Sequence, residues 1–448
     1  MNYYERTIAL VLVVLAMLIG LHFLPPITVG EHTLRAVNIL SDIVPGDSTC
    51  DDGDWEEELL AVGQDSAAVD SVRPDKLQEP EDATTGIADY SDGAMERFYA
   101  KLQQGGPVRI AYFGDSFVEG DILTGPLREM LQARYGGGGV GFVDMATGME
   151  GFRQTVRHRN AGFSIHAITD RNFSRSKEGI NQRYFIPSQV GRSYVSLSSV
   201  KGAARATEST IYFVTQDSLT LTARVNGGES QTFSFSGSDA LQYATVYGDM
   251  GQVEWSLVRD SLSAPCWFYG VTLDQAQGVV LDNFSMRSSS GATLASLPGG
   301  RTREFARLRP YDLIVLHFGL NVASEPMARS RYAGYQKQMR RSIALLREMY
   351  PDAALLIVSC SDRDDRDLDG RMVTLPGLRT LVAVQHQMAR DNGIAFWNLF
   401  QAMGRAGSMQ QMANASPPEA NKDYTHLTHR GGRRLARLFF DVLTHKSY

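Results

Sequence analysis

The stretch Arg109-Ile-Ala-Tyr-Phe-Gly-Asp-Ser116 is an apolar run that ends abruptly on Gly-Asp-Ser. The residues from Val108 to Phe113 predict a short buried strand, and those from Gly125 to Tyr135 predict the helix after it. A serine at this junction lies at the carboxyl end of a strand, where open α/β sheets hold their ligands. Gly-Asp-Ser is also ordinary turn chemistry, so by itself the stretch leaves a plain strand-to-helix turn as the alternative.

A second signal, Asp423-Tyr-Thr-His426, lies just before a predicted C-terminal helix. A hydroxyl nucleophile needs a base to accept its proton, and that base needs an acidic group to orient it. Asp423 and His426 supply both groups if the loop turns back on itself. The alternative is a helix-capping aspartate beside a surface histidine. His429 is the rival base, but it falls at the start of the last helix and is expected to be exposed.

A third signal, Phe318-Gly-Leu-Asn321, follows the apolar run from Leu313 to His317 and so marks another strand end. An asparagine amide at such a position could donate a hydrogen bond to an oxyanion. The alternative is an asparagine in an ordinary turn.

The ordered blocks of this chain resemble those of the SGNH (GDSL-type) hydrolases. The matching residues are Gly114-Asp115-Ser116, Gly291, Gly319-Leu-Asn321 and Asp423-Tyr-Thr-His426-Leu-Thr428 followed by Gly431. The resemblance implies that Ser116 is the nucleophile, His426 its base and Asp423 the group that orients the base. It also implies an oxyanion hole formed by the backbone N–H groups of Ser116 and Gly291 and the Asn321 amide.

Two positions depart from the family pattern. Phe117 stands where GDSL enzymes have leucine, and Val322 follows Asn321 where many members have aspartate. Neither position performs the chemistry. Asp115 is expected to brace the turn.

The composition excludes several other classes of function. The net charge is −6 and basic runs with interleaved aromatics are lacking, which argues against nucleic-acid binding. The three cysteines, Cys50, Cys266 and Cys360, have no metal-ligand spacing. Gly136 to Gly141 is glycine-rich, but no Gly-Lys-Ser/Thr follows it, so it predicts a turn after the helix. We therefore expect neither a metal nor a cofactor.

The N-terminus predicts a membrane anchor, assigned to residues 1–28. The stretch from Thr7 to Pro25 is almost wholly apolar and long enough for one spanning helix. A cleaved signal peptide is the alternative, although no small-x-small cleavage site follows. Arg6 indicates that the short N-terminus stays cytoplasmic. The body of the protein would then lie outside the cytoplasmic membrane, in the periplasm of a bacterial envelope.

Residues 29–91 predict a largely disordered tether. Between Asp47 and Asp82 there are 13 acidic residues, against the basic Arg73 and Lys76. Such a segment cannot bury enough apolar surface to fold by itself. Docking of this segment on the catalytic domain is the alternative.

The remaining chain predicts a hydrolase domain in two parts, residues 92–141 and 279–448, interrupted by a β-rich insertion at residues 142–278. The insertion contains alternating segments such as Leu219 to Val225, and Asn226-Gly227 is a hairpin signal. After it, α/β alternation returns. The expected fold is a three-layer α/β/α flavodoxin-like domain with a parallel sheet, interrupted by a β-sandwich-like module.

A β-rich insertion between the first two blocks resembles the architecture of bacterial peptidoglycan O-acetylesterases. This resemblance implies an esterase that removes O-acetyl groups from an envelope polysaccharide. Arg153 and Arg157, in the basic early part of the insertion, are the candidate substrate-binding residues. Because all four blocks lie outside the insertion, we expect a deletion within it that remains folded to spare hydrolysis of small esters more than that of polymers.

Two alternatives to the esterase stay open. One is an O-acetyltransferase that uses the same three residues and works beside a membrane acetyl-transfer protein. The other is a non-catalytic glycan-binding protein on the same scaffold.

Overall fold

The computed structural model describes residues 86–149, 151–200, 205–259, 265–323 and 329–444, together with two short paired strands, Thr28–Val29 and His32–Thr33. The chain divides into a unit of Met1–Leu59 and a unit of Leu60–Tyr448. The predicted membrane helix at residues 7–25, and the tether up to residue 85 apart from those strands, lie outside the described residues. Within the described ranges, no helix is long and apolar enough to cross a membrane.

The second unit is built from strands and helices that are numbered here in chain order. The strands are β1 Val108–Gly114, β2 Gly141–Val143, β3 Val156–Ala161, β4 Phe163–Ala167, β5 Arg183–Pro187, β6 Gly191–Ser199, β7 Ala206–Thr215, β8 Leu219–Val225, β9 Ser230–Phe235, β10 Ser238–Met250, β11 Gln252–Arg259, β12 Cys266–Leu273, β13 Val279–Ser285, β14 Leu313–His317, β15 Ala354–Val358, β16 Asp364–Arg366, β17 Met372–Thr374 and β18 Ala395–Trp397. The helices are α1 Ala94–Gln104, α2 Thr124–Tyr135, α3 Gly299–Leu308, α4 Arg329–Met349, α5 Gly377–Asp391, α6 Leu399–Met403, α7 Ser408–Asn414 and α8 His429–Thr444.

The central sheet is parallel and has the strand order β13-β1-β14-β15-β18. Counted along the chain, its five strands lie in the order 2-1-3-4-5, the flavodoxin-like arrangement. The predicted parallel α/β sheet is therefore confirmed. The order reverses at β1, so the residues that follow β13, β1 and β14 converge on one end of the sheet.

The two faces of this sheet are covered by different helices. Ala111 and Phe113 of β1 belong to a buried cluster that includes residues of α4 and α5. Ile110 and Tyr112 belong to a second cluster, with residues of α1, α2 and α8. Successive side chains of a strand point to opposite faces, so alternation along β1 produces the three layers.

The insertion forms two antiparallel sheets around its own core. One sheet has the order β9-β8-β11-β6-β3, and the other has the order β10-β7-β12-β5-β4 with β2 beside β12. Side chains from both sheets, including Leu221, Trp255, Phe213 and Phe268, share one buried cluster. Asn226 and Gly227 adopt φ angles of 51° and 71° between β8 and β9, as the hairpin prediction requires.

The module and the hydrolase domain also share a core. Phe142 and Tyr269 belong to the same buried cluster as Phe284 and Phe305 of the hydrolase domain. Arg309, only 1% exposed, pairs with Asp274 at 2.6 Å and with Asp282 at 2.5 Å. Since Asp274 follows the last module strand and Asp282 lies in β13, these buried charges join the two parts.

In the glycine-rich segment after α2, the backbone of the hydrolase domain passes close to the backbone of the module. Gly139 has a φ of 75°, and a Cβ atom there would lie 2.0 Å from the Leu273 carbonyl oxygen. Only glycine allows the backbones to approach so closely. The segment is thus a turn, as predicted.

One end of the predicted tether needs correction. Residues 86–91 were assigned to the tether, but Ala88 exchanges two backbone hydrogen bonds with Phe396 of β18, at 2.9 and 2.8 Å. Tyr90 also reaches the ring of His386, with an O–N distance of 2.6 Å. The folded domain therefore includes these residues, because they protect the edge strand of the central sheet.

Candidate active site

Ser116 lies directly beyond the carboxyl end of β1. It begins a tight segment of residues 116–121, called here the Ser116 loop. The Asp115 carboxylate accepts a hydrogen bond from the Phe117 N–H at 2.9 Å, which fixes the turn out of the strand. Asp115 therefore braces the turn, as the sequence predicts.

His426 and Asp423 lie on a loop that folds back on itself. Ala420 and Leu427 form an isolated antiparallel bridge, and Tyr424 between them has a φ of 53°. One Asp423 carboxylate oxygen accepts the backbone N–H groups of Thr425 and His426, each at 3.0 Å. The carboxylate is thus oriented by its own loop.

Ser116, His426 and Asp423 form a continuous hydrogen-bonded chain. Asp423 Oδ2 lies 2.8 Å from His426 Nδ1, and His426 Nε2 lies 2.9 Å from Ser116 Oγ. An Nδ1–H donated to the carboxylate leaves Nε2 as the acceptor for the serine proton. This arrangement can perform nucleophilic acyl transfer.

Two carboxylates near His426 have shifted pKa values in opposite directions. Burial raises the pKa of Asp423, but hydrogen bonds from the His426 backbone and ring and from the Thr425 N–H outweigh it, so the net shift is downward. Burial raises the pKa of Asp115 to about 6, although the Phe117 N–H and the nearby His426 oppose the shift. Asp423 is thus the carboxylate held in its charged form beside the imidazole.

The two other residues predicted for the oxyanion hole follow the strands on either side of β1. Gly291 lies beyond β13 and Asn321 lies beyond β14, so both belong to the end of the sheet that holds Ser116. Both contact Ser289: the Gly291 N–H donates to its Oγ at 3.1 Å, and the Asn321 amide donates to its carbonyl at 2.9 Å. Asn321 keeps a second N–H for an oxyanion, whereas the Gly291 N–H is engaged with Ser289.

Gly291 cannot be replaced without strain. Its φ is 82°, and a Cβ atom would lie 2.7 Å from the Phe318 ring and 2.9 Å from Met339 Sδ. The backbone at this position must pass close to both side chains, and only glycine permits it.

His429, which is the alternative base, and the two described cysteines are not part of this chain of hydrogen bonds. His429 is exposed and begins α8, as expected. Cys266 and Cys360 are buried free thiols, while Cys50 is outside the described residues. In the described ranges, no group of three or more His, Cys, Asp or Glu side chains could hold a metal ion.

Asp121, at the end of the Ser116 loop, is the centre of a buried polar cluster, the Asp121 cluster. It is 3% exposed, and its φ of 63° is rare for a residue other than glycine. Its carboxylate accepts six hydrogen bonds, from Arg128 at 2.9 and 3.2 Å, Arg153 at 2.7 Å, Thr155 at 2.5 Å, Thr124 at 2.9 Å and Asn283 at 3.0 Å. Burial alone would raise the pKa of Asp121, but Arg128 and Arg153 hold it well below its usual range.

The Asp121 cluster corrects the role expected of Arg153. Besides its bond to Asp121, Arg153 donates to the carbonyl oxygens of Phe142 and Val140 at 3.0 and 2.9 Å. All three guanidinium nitrogens therefore bind within the protein, so Arg153 holds the module against the Ser116 loop instead of offering a free cation to substrate. Arg157 is exposed on β3, and its role in binding stays a prediction.

Sequence reasoning missed Asp121, Asn283 and Ser289. The partners of Asp121 come from α2, the module and β13, and no spacing in the sequence connects these segments. The only local signal was an aspartate following a glycine, which is typical of any turn.

A cleft of about 250 Å³ opens beside the Ser116 loop. It is lined by Glu119 and Gly120 of the loop, by Asn283 to Ser285 of the hydrolase domain and by residues of the module. Phe152 packs on Gly120 so closely that a Cβ atom there would lie 2.7 Å from the ring. The module therefore contributes to the surroundings of the Ser116 loop.

Residues 260–434 match the model of the GDSL-like lipase/acylhydrolase family. This part of the chain is similar to the GDSL-type acylhydrolases. The matched segment includes Gly291, Asn321, Asp423 and His426, while Ser116 precedes it because the module divides the domain. The resemblance to SGNH hydrolases is confirmed, and the acylhydrolase is a carboxylic ester hydrolase by class.

Solved structures share the fold of the acylhydrolase. A peptidoglycan O-acetylesterase is 21% identical, with 79% of this chain and 97% of that chain covered at a TM-score of 0.64. A family two carbohydrate esterase from Clostridium thermocellum, in complex with cellohexaose, is 12% identical over 62% of this chain and 97% of its own, at a TM-score of 0.24. The latter score is too low to carry an argument. A comparison with curated proteins by sequence finds no significant match.

Proposed function

We propose that this acylhydrolase is a serine esterase that removes O-acetyl groups from a bacterial envelope glycan, with peptidoglycan as its substrate. The observation that carries the proposal is the hydrogen-bonded chain from Asp423 through His426 to Ser116 at the carboxyl end of the sheet. This chain supplies a nucleophile, a base and an orienting carboxylate in the order that acyl transfer needs.

In the proposed mechanism, Ser116 Oγ attacks the acetyl carbonyl while His426 Nε2 accepts the hydroxyl proton. Asp423 stabilises the imidazolium that forms. The Ser116 N–H and the second N–H of the Asn321 amide would donate to the developing oxyanion, each such donor being worth roughly 3–4 kcal/mol. The Gly291 N–H would join them by leaving Ser289 Oγ, to which it donates at 3.1 Å. His426 returns the proton to the leaving sugar oxygen, and water then releases acetate from Ser116.

The choice of glycan rests on two supporting observations. The fold matches that of a peptidoglycan O-acetylesterase over 79% of this chain. The predicted N-terminal anchor, at residues 7–25, would hold the domain outside the cytoplasmic membrane, where envelope polysaccharides lie. A periplasmic, membrane-tethered esterase is therefore the most economical interpretation.

The test measures acetate released from O-acetylated peptidoglycan by the wild type and by Ser116→Ala, with and without an added acceptor sugar. We expect free acetate in equal amounts with or without the acceptor, and none from Ser116→Ala. Acetyl groups recovered on the acceptor instead of as acetate would identify an O-acetyltransferase. Wild-type turnover of p-nitrophenyl acetate by Ser116→Ala would overturn the serine mechanism.

A further inference from the structure

Ser289 contacts both of the oxyanion donors that lie outside the Ser116 loop. Its Oγ accepts the Gly291 N–H at 3.1 Å, and its carbonyl oxygen accepts the Asn321 amide at 2.9 Å. Ser289 is only 2% exposed, so bulk water does not compete for either contact. One buried serine therefore holds two donors at the end of the sheet where Ser116 lies.

The two contacts differ in what they leave open for a substrate. The Asn321 amide has two N–H groups, so the Ser289 carbonyl can hold one of them while the other stays available. Gly291 has a single backbone N–H, and Ser289 Oγ occupies its acceptor position. An oxyanion that binds the same N–H must lie about 2.7–3.1 Å from the nitrogen, which is the place of that Oγ. The Ser289 hydroxyl and the oxyanion therefore compete for the Gly291 N–H.

The Ser289 side chain is the part of this arrangement that is free to move. The Gly291 carbonyl accepts the Ser342 hydroxyl of α4 at 3.2 Å, and the Phe318 ring fills the space beside the Gly291 Cα atom. These contacts hold the Gly291 backbone in place. A change of rotamer about the Cα–Cβ bond of Ser289 moves only its hydroxyl, and it leaves the carbonyl on Asn321.

We propose that Ser289 is a positioning residue for acyl transfer: its hydroxyl occupies the Gly291 N–H in the resting enzyme and rotates away when negative charge develops on the ester oxygen. The inference rests on the proposed function, because it requires Ser116 as the nucleophile. A hydrogen bond to a charged acceptor is about twice as strong as one between neutral groups. The neutral ester carbonyl thus gains nothing by displacing the hydroxyl, whereas the oxyanion does. Ser289 reserves the Gly291 N–H for the transition state.

The kinetic test measures the hydrolysis of p-nitrophenyl acetate by the full chain carrying Ser289→Ala. Without the hydroxyl, the Gly291 N–H can bind the ester carbonyl and the oxyanion alike. We therefore expect kcat/KM to rise about fivefold through a lower KM, while kcat stays within about twofold. A merely structural role would not lower KM, so an unchanged or higher KM overturns the inference.

Ser290→Ala is the matched control for this substitution. Ser290 is also a buried serine, and its Oγ accepts the Ala292 N–H at 3.3 Å instead of an oxyanion donor. This variant should keep the KM of the wild type. An equal fall in KM for both variants would show that the effect does not come from the Gly291 N–H, and it would also overturn the inference.

A structural test uses the wild type and so does not depend on the folding of a variant. With methylboronic acid, the Ser116 oxygen bonds to boron, its proton passes to His426, and boron becomes a tetrahedral anion like the acyl-transfer intermediate. In a crystal structure of this adduct, we expect a boronate oxygen about 2.7–3.1 Å from the Gly291 nitrogen and Ser289 Oγ rotated away from it. A Ser289 Oγ that still accepts the Gly291 N–H in the adduct overturns the inference.

These tests separate the role of Ser289 from the proposed function. If p-nitrophenyl acetate is hydrolysed through Ser116 but O-acetylated peptidoglycan is not, the choice of glycan fails and the role of Ser289 stands. If Ser116→Ala hydrolyses p-nitrophenyl acetate at the wild-type rate, the serine mechanism fails and the inference falls with it. If Ser116 is required and Ser289→Ala behaves like Ser290→Ala, only the role of Ser289 is overturned.

Discussion

The positions of Ser116, His426 and Asp423 depend on short local contacts made by each residue or its neighbour. Asp115 fixes the turn after β1, and the backbone N–H groups of Thr425 and His426 fix the Asp423 carboxylate. The side chains of His426 and Asp423 are 40% and 47% exposed. Burial therefore does little to hold them, and the local hydrogen bonds determine their geometry.

His426 and His429 provide a matched pair of substitutions. His426→Ala should reduce kcat/KM for p-nitrophenyl acetate by about 10³-fold or more, because it removes the base bonded to Ser116. His429→Ala should leave kcat/KM within a few-fold, since His429 is an exposed side chain at the start of α8. A larger loss from His429→Ala than from His426→Ala would reassign the base.

Asp115 should make stability depend on pH. Its pKa is about 6 in the folded protein against an ordinary value of 3.8, so the folded state binds this proton more tightly than the unfolded chain. This contribution to the free energy of unfolding must fall as pH rises from about 4 to about 6, and it stays low above that.

The replacement Asp115→Asn removes the titration and keeps an oxygen for the Phe117 N–H. Relative to the wild type, the variant should gain about 3 kcal/mol above pH 7 and nothing near pH 4. Denaturant titrations of both proteins across this range measure the difference. A variant that is less stable at every pH would show that the turn needs the charged carboxylate.

At the scale of elements, the Asp121 cluster connects parts of the fold that are distant in sequence. Asp121 ends the Ser116 loop, Arg128 belongs to α2, Asn283 belongs to β13, and Arg153 and Thr155 come from the module. The module therefore supports the loop that carries Ser116. In the basic early part of the module, Arg153 is thus held by Asp121, whereas Arg157 is exposed.

Two substitutions in the Ser116 loop should differ strongly in how far they lower the free energy of unfolding. Asp121→Asn leaves two arginines without their carboxylate and should cost about 3–5 kcal/mol of unfolding free energy, because Arg128 is buried. Glu119→Gln breaks an ion pair whose partner Arg287 is 56% exposed, so it should cost at most about 1 kcal/mol. Chemical denaturation measures both, and equal losses would contradict the role assigned to the Asp121 cluster.

At the scale of the whole molecule, the module and the hydrolase domain cannot be separated cleanly. They share a buried aromatic cluster, and Arg309 pairs with aspartates from both parts. Deletion of residues 142–278 would expose this cluster and leave Arg309 with one partner. The expectation that a deletion spares small-ester hydrolysis therefore stays a prediction for a deletion that remains folded, and removal of the whole of residues 142–278 should unfold the chain.

The shared core predicts a single unfolding transition for residues 86–444. Differential scanning calorimetry should give one peak whose calorimetric and van't Hoff enthalpies agree. Asp274→Ala should lower the whole transition, since it leaves a buried arginine half unpaired. Two resolved transitions, or a lower melting temperature for the module alone, would show that the parts fold independently.

Much of the fold could be predicted from the sequence, because the determining signals are local. Alternation of apolar residues predicted β8 with the bounds found, and the apolar run from Leu313 to His317 predicted β14. The order of the blocks predicted the sheet end at which Ser116, Gly291 and Asn321 lie. Periodicity and turn chemistry act over a few residues and are readable without tertiary contacts.

The rest was decided only by the tertiary structure. Asp121 and Asn283 have partners far away in the chain, so no local pattern marks them as members of a buried polar cluster. Arg153 has a sequence context that favours an exposed basic group, yet it is held by Asp121 and two carbonyl oxygens. Hydrogen-bond satisfaction of a buried group depends on which segments meet around it, and that is a property of the folded chain alone.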